Sequence, residues 1–331
     1  MAVGIVDRQK LVNIADAVRA KKGITGNMTL DAIASNISSI PTADNNAKFD
    51  FAGSGSKSGG SLTNYLTTVD LTGFDTSNYT NMYNMFNGFS SLTSLDVSGF
   101  DTSNVTSMGS MFGGCSSLTS LDVSGFDTSK VTYMHNMFNG CSSIETLDLS
   151  NFDFSNISSG EIYGLNGLFY DCMNLKTIIF PSTVSFKNTD ISFISMFFRC
   201  SSLTSLDLSG WDTSNVNRVF YLFYGCSSLT SLDLSNWNTS KVNNMDNMFQ
   251  DCSKLSNLTL GTDWANNSSI SSFNLSNCPL THESAVDVIN KLATRDNSPV
   301  IQFSNKVGLY QSEIDVATNK GWSVSGCKVL V

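Results

Sequence analysis

A repeat with a period of 26 residues occupies most of this chain. The phrase Leu-Thr-Ser-Leu-Asp begins at Leu92, Leu118, Leu203 and Leu229. Cysteines keep the register, at 26-residue intervals interrupted by one unit of 31 and one of 28 residues, at Cys115, Cys141, Cys172, Cys200, Cys226, Cys252 and Cys278. A fixed period of this length predicts that repeats bury their apolar faces against one another, since none is large enough for a core of its own.

Each repeat alternates two apolar periodicities. The first places Leu118, Leu121 and Val123 on one face of a short strand. The second follows one face of a short helix with Thr106 as its N-cap, through Val105, Met108, Met111, Phe112 and Cys115. We therefore predict an α/β repeat: a leucine-rich-repeat-like solenoid of about eight turns, with strands stacked about 4.8 Å apart.

Two positions of the repeat carry further information. Glycine and asparagine alternate before an aromatic residue, which predicts a positive φ, at Gly73, Gly99, Gly125, Asn151, Gly210 and Asn236. The cysteine position holds Phe89 in the first copy. An apolar core position accepts that exchange, whereas a disulfide or a metal ligand does not, so we expect the cysteines to be buried thiols.

The repeat resembles a known family. The pattern Leu-Asp-Leu-Ser-x-Phe-Asp-Thr-Ser-x-Val-x-x-Met-x-x-Met-Phe-x-x-Cys-Ser-Ser is similar to the 26-residue repeat of BspA-like leucine-rich proteins of bacterial surfaces, over residues 66–278. The resemblance implies a non-catalytic, adhesive solenoid.

The sequence divides into four segments. Residues 1–41 carry two amphipathic helical stripes that exceed what so short a segment can bury alone, so they are expected to anchor the chain to a sister chain or a larger assembly. Residues 42–61 form a Gly/Ser-rich linker, and residues 62–278 form the repeats. Residues 279–331 are predicted to be an α/β cap with helices at 284–292 and 311–319, a strand at 300–303 and a last strand from Trp322.

Both ends resemble phage proteins. The phrase Asp7-Arg-Gln-Lys-Leu-Val-Asn-Ile-Ala-Asp-Ala-Val-Arg is similar to short modules that begin tail and other structural proteins of phages of Gram-positive hosts. The segment Leu280-Thr-His-Glu-Ser-Ala-Val-Asp-Val-Ile is similar to the C-terminal part of phage-borne repeat proteins. This resemblance implies that residues 1–41 bind other virion proteins, and a homo-oligomer is expected.

Composition removes several classes of function. Lysine and arginine number 19 against 28 acidic residues, for a net charge of -9, and the basic residues are scattered, so a nucleic-acid partner is not expected. No apolar run approaches the roughly 18 residues of a membrane span. His135 and His282 stand apart from any ligand-spaced cluster, and no nucleotide-binding or esterase motif occurs. We therefore expect no cofactor and no catalytic residue.

Aspartates recur at one strand position, Asp70, Asp96, Asp122, Asp148, Asp207 and Asp233. A second series follows in the next turn, Asp75, Asp101, Asp127, Asp153 and Asp212. Three interpretations remain open. Each aspartate caps its own turn, stacked carboxylates hold a cation, or two carboxylates form the pair of a retaining glycosidase in a polysaccharide-cleaving spike. Repetition in every turn favours the first.

Aromatic residues concentrate where the 26-residue period breaks. Four of these aromatic residues have no assigned core position. Together with two nearby cations they form the predicted ligand-binding patch: Tyr163, Tyr170, Phe186, Phe198, Lys187 and Arg199. Tyr221 and Tyr224 follow them. Such a patch is typical of a contact with a host-surface glycan or protein, although packing of an enlarged loop explains it equally.

The first hypothesis for function is a non-enzymatic phage virion protein, a tail fibre or capsid-decorating fibre that displays the solenoid for receptor binding. The alternative is a bacterial cell-surface adhesin with the same repeats. The start of the chain has no apolar export segment, so we expect release with the virion on lysis rather than export.

Overall fold

The computed structural model describes residues 67–69, 71, 74–158 and 164–331. The predicted anchoring module 1–41 and linker 42–61 lie outside these residues, as do Gly73 and Tyr163. The strands are β1 (Thr146–Asp148), β2 (Thr177–Ile179), β3 (Ile191–Ser192), β4 (Val216–Arg218), β5 (Ser231–Leu234), β6 (Asn257–Leu260), β7 (Ser272–Leu275), β8 (Val300–Phe303), β9 (Gly308–Tyr310), β10 (Ser323–Ser325) and β11 (Lys328–Leu330). The helices are α1 (His282–Lys291) and α2 (Gln311–Asn319). Neither is long and apolar enough to cross a bilayer.

Neighbouring repeats pair in parallel. The sheets are β1–β2, β3–β4, β5–β6, β9–β11 and the three-stranded β7–β8–β10. In β5–β6 the paired residues are one period apart, so that Leu232 lies beside Leu258. Isolated bridges join Asn81 to Ser107 and Ser107 to Tyr133 in the same sense. The repeats therefore stack in parallel, and each chemical position of the repeat forms a row along the stack.

The predicted helix within each repeat is wrong. Between Val105 and Cys115 the chain makes consecutive turns, because Ser110 (φ 52°) and Gly114 (φ 73°) adopt left-handed backbone conformations that an α-helix excludes. Alternate N–H groups bond to the next repeat, as Met108 donates to the Tyr133 carbonyl (2.8 Å). The Thr106 hydroxyl donates to the Thr80 carbonyl (3.0 Å) instead of capping a helix. The apolar face was identified correctly, since its five residues are fully buried.

The prediction of positive φ at the Gly/Asn position is also wrong. Gly99, Gly125, Asn151, Gly210 and Asn236 are absent from the left-handed residues. The position is the third residue of a β-turn, closed in one repeat by the bond from the Phe100 N–H to the Val97 carbonyl (3.0 Å). At Gly210 the position requires glycine because there is no room for a side chain. An added Cβ would lie 2.1 Å from the Ser182 carbonyl oxygen.

One phenylalanine per repeat forms the centre of the core. Adjacent rings stack with centroids 5.5–5.9 Å apart and planes within 14° of parallel, through Phe86, Phe112, Phe138, Phe169, Phe197, Phe223 and Phe249. All are at most 1% exposed. Burial of each ring contributes about 1.5–3 kcal/mol to folding. This row holds the turns of every repeat against the next.

The helices and the strand predicted for the C-terminal segment are confirmed. Thr281 caps α1, since its side chain accepts a bond from the Ser284 N–H (3.2 Å). The Lys320 ammonium, directly after α2, donates to the carbonyls of Asn290 (2.6 Å) in the last turn of α1 and of Leu292 (2.9 Å) directly after α1, which joins the two helices. The short strands β9 and β11 were not predicted. The ladder thus continues into the C-terminal segment, where true helices replace the turns.

Candidate functional site

Three aromatic rings occupy consecutive repeats at the position directly after the core phenylalanine. The Tyr170 and Phe198 rings stack with centroids 4.5 Å apart, and the Phe198 and Tyr224 rings stack at 4.7 Å. All three are half-buried. In other repeats this position holds small or polar residues, Asn87, Gly113, Asn139 and Gln250. The aromatic row therefore occupies the two repeats of irregular length and the regular repeat that follows them.

Two further side chains complete the group. The Tyr221 ring stands nearly perpendicular to the row, 6.2 Å from Phe198 and 5.8 Å from Tyr224. The Arg199 guanidinium lies 5.2 Å from the centre of the Phe198 ring, a distance at which the cation is attracted to the ring. We call Tyr170, Phe198, Arg199, Tyr221 and Tyr224 the aromatic cluster.

Acidic side chains flank the aromatic cluster. Arg199 Nη1 lies 3.8 Å from Asp171 Oδ1 on one side. On the other side, a hydrogen bond to the Asp251 carboxylate raises the pKa of the Tyr224 hydroxyl. The surface therefore combines aromatic ring edges, one cation and two carboxylates. Such a mixture suits a ligand that has both apolar and hydrogen-bonding parts.

The structure brings together only part of the predicted patch. Tyr170, Phe198 and Arg199 meet as expected. Phe186 does not join them, because it is 6% exposed and packs 5.6 Å from Phe193 in the core. Lys187 lies with Phe186 and donates to Asn156 Oδ1 (3.1 Å). Assigning Phe186 to an exposed patch is wrong, because the irregular loop contributes this aromatic side chain to the core, whereas Lys187 is exposed.

Tyr221 and Tyr224 were not assigned to the patch from the sequence. Tyr224 follows Phe198 by 26 residues, so the register alone could have placed it beside Phe198. The repeat register does not predict that Tyr221 joins the row, because Tyr221 occupies a different position of the repeat from the rings that it contacts.

Two residues of the aromatic cluster adopt backbone conformations that are unfavourable for bulky side chains. Each of the seven repeats from Asn84 to Asp251 has two left-handed positions. One holds Asn84, Ser110, Asn136, Gly167, Ser195, Tyr221 and Asn247. The other holds Gly88, Gly114, Gly140, Asp171, Arg199, Gly225 and Asp251. Glycine, asparagine and aspartate tolerate a positive φ, whereas bulky side chains there are outliers. Tyr221 (φ 57°) and Arg199 (φ 56°) are therefore held against a conformational cost.

The aspartate rows cap turns, as the first interpretation predicted. In the strand row each exposed carboxylate accepts the N–H of the serine two residues later, for example Asp122 from Ser124 (2.9 Å). The same bond occurs at Asp96, Asp148, Asp207 and Asp233. The Ser124 hydroxyl and N–H hold the pKa of the Asp122 carboxyl below its usual value. A glycosidase general acid needs the opposite shift.

Lysines lie beside the second aspartate row. Lys130 donates to Asn104 Oδ1 (3.1 Å) and Lys241 to Asn215 Oδ1 (2.8 Å). The charge of Lys130 contributes to the lowered pKa of Asp101 and Asp127, after the serine hydrogen bonds. The cation near these carboxylates is thus a side chain of the protein. Within the described ranges, no three His, Cys, Asp or Glu side chains converge as a metal site requires.

The seven repeat cysteines form a buried row. Each thiol donates to the carbonyl of the core phenylalanine in the preceding repeat, as Cys200 does to Phe169 (3.2 Å) and Cys226 to Phe197 (3.2 Å). All seven are fully buried, and burial raises the pKa of the Cys226 thiol to about 12. These thiols bind repeat to repeat and present no reactive group at the surface.

Comparison with known proteins found a family match that covers the repeats. Residues 61–177 and 163–278 match the family model described as "Mycoplasma protein of unknown function, DUF285". Together the two matches span about two thirds of the chain. They support the resemblance to BspA-like repeat proteins. No curated protein matches the sequence.

Proposed function

We propose that this chain, which belongs to the DUF285 family of BspA-like repeat proteins, is a non-enzymatic virion protein of a phage. Its repeats would form a solenoid of about eight turns that displays the aromatic cluster to the host-cell surface. Residues 1–41 would bind other virion proteins, and the Gly/Ser linker at 42–61 would let the solenoid reorient. The N-terminal phrase beginning at Asp7 supports this placement through its similarity to phage structural modules.

The aromatic cluster is the observation that carries the binding function. The regular repeats present nearly identical serine, threonine and aspartate side chains, which cannot distinguish one target from another. The stacked rings of the cluster stand at a position that holds Asn87, Gly113, Asn139 and Gln250 in other repeats, and Arg199 and Tyr221 remain in the cluster despite unfavourable backbone conformations. Rigid aromatic side chains contribute contact area at small entropic cost, and together with arginine they dominate binding energies.

The ligand would be a glycan or a protein of the host surface. A bacterial cell-surface adhesin is the alternative, since the BspA-like resemblance implies the same surface-binding role. A polysaccharide-cleaving spike is less well supported, because Asp96, Asp122 and Asp148 have lowered pKa values and cap turns.

Two measurements test the proposal. Mass spectrometry of purified phage particles should detect this chain at a fixed ratio to the other virion proteins. Its recovery only in the envelope of uninfected cells would support the adhesin instead. Fluorescently labelled full-length protein should sediment with host cells in a saturable way, and unlabelled protein should compete. Non-saturable sedimentation would contradict surface binding.

A further inference from the structure

A shallow groove opens beside the aromatic cluster. It has a volume of about 350 Å³, within the range of roughly 300–1,000 Å³ occupied by small-ligand sites. Its aromatic wall consists of Phe220 and Tyr221, and Tyr221 belongs to the aromatic cluster as well. The opposite side comes from the next two repeats and carries amide and carboxylate groups from Asn244, Asp246, Asn247 and Asn274. We propose that this groove binds an uncharged oligosaccharide.

The chemistry of the lining selects this class of ligand. Pyranose rings have apolar C–H faces, which pack on aromatic side chains, and hydroxyl groups, which need both donors and acceptors. Phe220 and Tyr221 supply the first kind of contact, and the three asparagines with Asp246 supply the second. Asp246 is the one charged side chain among the residues that line the groove. A phosphate, sulfate or uronate group would meet its negative charge with no lysine or arginine among the lining residues, so acidic sugars are disfavoured.

The groove is rigid before any ligand arrives. Asn244 Oδ1 accepts the Asp246 N–H (2.9 Å), and Asn274 Oδ1 accepts the Ser276 N–H (2.9 Å). The Tyr221 N–H donates to the Asp246 carbonyl (3.0 Å), which joins the aromatic wall to the polar one. The Phe220 and Tyr221 rings lie 5.6 Å apart at 74°. A lining held in this way loses little entropy on binding.

The conformation of Tyr221 points to the same site. Its left-handed position holds asparagine, serine or glycine in the other described repeats, so tyrosine is the least suitable residue for the backbone there. Other repeats form the same turn with Asn136 or Asn247 at this position. A residue kept at a conformational cost indicates a role in binding. Here that role is to link the groove to the aromatic cluster.

This inference rests on the proposed function, since it names the ligand class of that same surface. The test uses the full-length protein on immobilised neutral oligosaccharides of hexoses and N-acetylhexosamines, with uronate-containing and sulfated oligosaccharides of equal length beside them. We expect binding to at least one neutral series. Tyr221→Asn and Asp246→Ala should each weaken it at least about tenfold, with little change in melting temperature.

Matched controls lie on other repeats. Asn136→Ser changes the same left-handed position, and Glu145→Ala removes an exposed carboxylate, so both should bind as the wild type does. Preference for acidic sugars, no binding to any neutral series, or unchanged binding by Asp246→Ala would overturn the inference. If Asp246→Ala binds sugars and cells normally while Phe198→Asn loses cell binding, the groove is wrong and the proposed function stands. If Asp246→Ala loses binding to sugars and cells while Phe198→Asn binds cells normally, the groove is the binding site and the stacked rings of the aromatic cluster have no binding role.

Discussion

The Cys200 thiol donates a hydrogen bond to the carbonyl oxygen of Phe169, 3.2 Å away and one repeat earlier. Both residues are fully buried, and the same pair recurs along the stack. The Phe169 carbonyl also accepts the Cys172 N–H (3.1 Å), so the thiol adds a second hydrogen bond that joins two repeats in an environment that water does not reach. Phe89 occupies the same buried position in the first copy, where its side chain cannot donate this bond.

Thiol reactivity should distinguish the seven buried cysteines from Cys327, which is half-buried. Burial raises the pKa of the Cys115 and Cys226 thiols to about 12, so almost no thiolate forms at these two residues near pH 8. Titration of native protein with a chromogenic disulfide reagent should show at most one reactive thiol. The denatured protein should show all 8 cysteines. Several fast thiols in the native state, or disulfides within the row, would contradict this arrangement.

Phe186→Ala should destabilise the protein by about 3–5 kcal/mol, because it removes a buried ring that packs on Phe193 and Trp211. Denaturant unfolding followed by circular dichroism measures the change. Lys187→Ala is the neighbouring control and should change stability by less than about 1 kcal/mol, since Lys187 is exposed. A small effect of Phe186→Ala together with lost binding would restore Phe186 to the ligand-binding patch.

Acid should weaken the stack through the strand-row aspartates. Hydrogen bonds from the following serines hold the pKa values of Asp96, Asp122 and Asp148 below 3.8 in the folded state. Their stabilising contribution is therefore complete above the unfolded value and is lost as the pH falls through the lower, folded pKa. Melting temperatures between about pH 5 and pH 2 should fall less steeply when the three are changed to asparagine.

Asparagine is the appropriate replacement because it caps the same kind of turn without titrating. Asn238 Oδ1 accepts the Ser240 N–H (3.0 Å) in the second row. An identical decline of melting temperature in the wild type and the triple variant would show that these carboxylates do not contribute to the acid sensitivity.

Arg199→Gly should stabilise the fold by about 1 kcal/mol, because glycine relieves the left-handed conformation that arginine adopts there (φ 56°). Gly140→Arg, at the equivalent position of a regular repeat, should lower stability by a similar amount. Chemical denaturation of the two variants compares them directly. Loss of stability in Arg199→Gly would mean that the contacts of Arg199 with Phe198 and Asp171 outweigh the backbone cost.

Local patterns predicted some parts of the structure and not others. The C-terminal helices were predictable because their apolar spacing, the cap at Thr281 and the stop at Gly321 all agree. The turns from Val105 to Cys115 were mistaken for a helix because apolar residues three and four positions apart fit both structures. Only the partners of their N–H groups, which lie in the next repeat, decide between them. Phe186 was misplaced for a related reason, since a break in the period removes the register that assigns core positions.

Equilibrium binding of Phe198→Asn to host cells tests the central claim most directly. Asparagine occupies this position in two other repeats, at Asn87 and Asn139, so the fold should persist. Gln250→Asn changes the same position one repeat after Tyr224 and serves as the control. With labelled protein titrated onto cells, we expect Phe198→Asn to bind at least about tenfold more weakly and Gln250→Asn to bind as the wild type does. Equal binding by all three proteins, with unchanged melting temperatures, would contradict a binding role for the aromatic cluster.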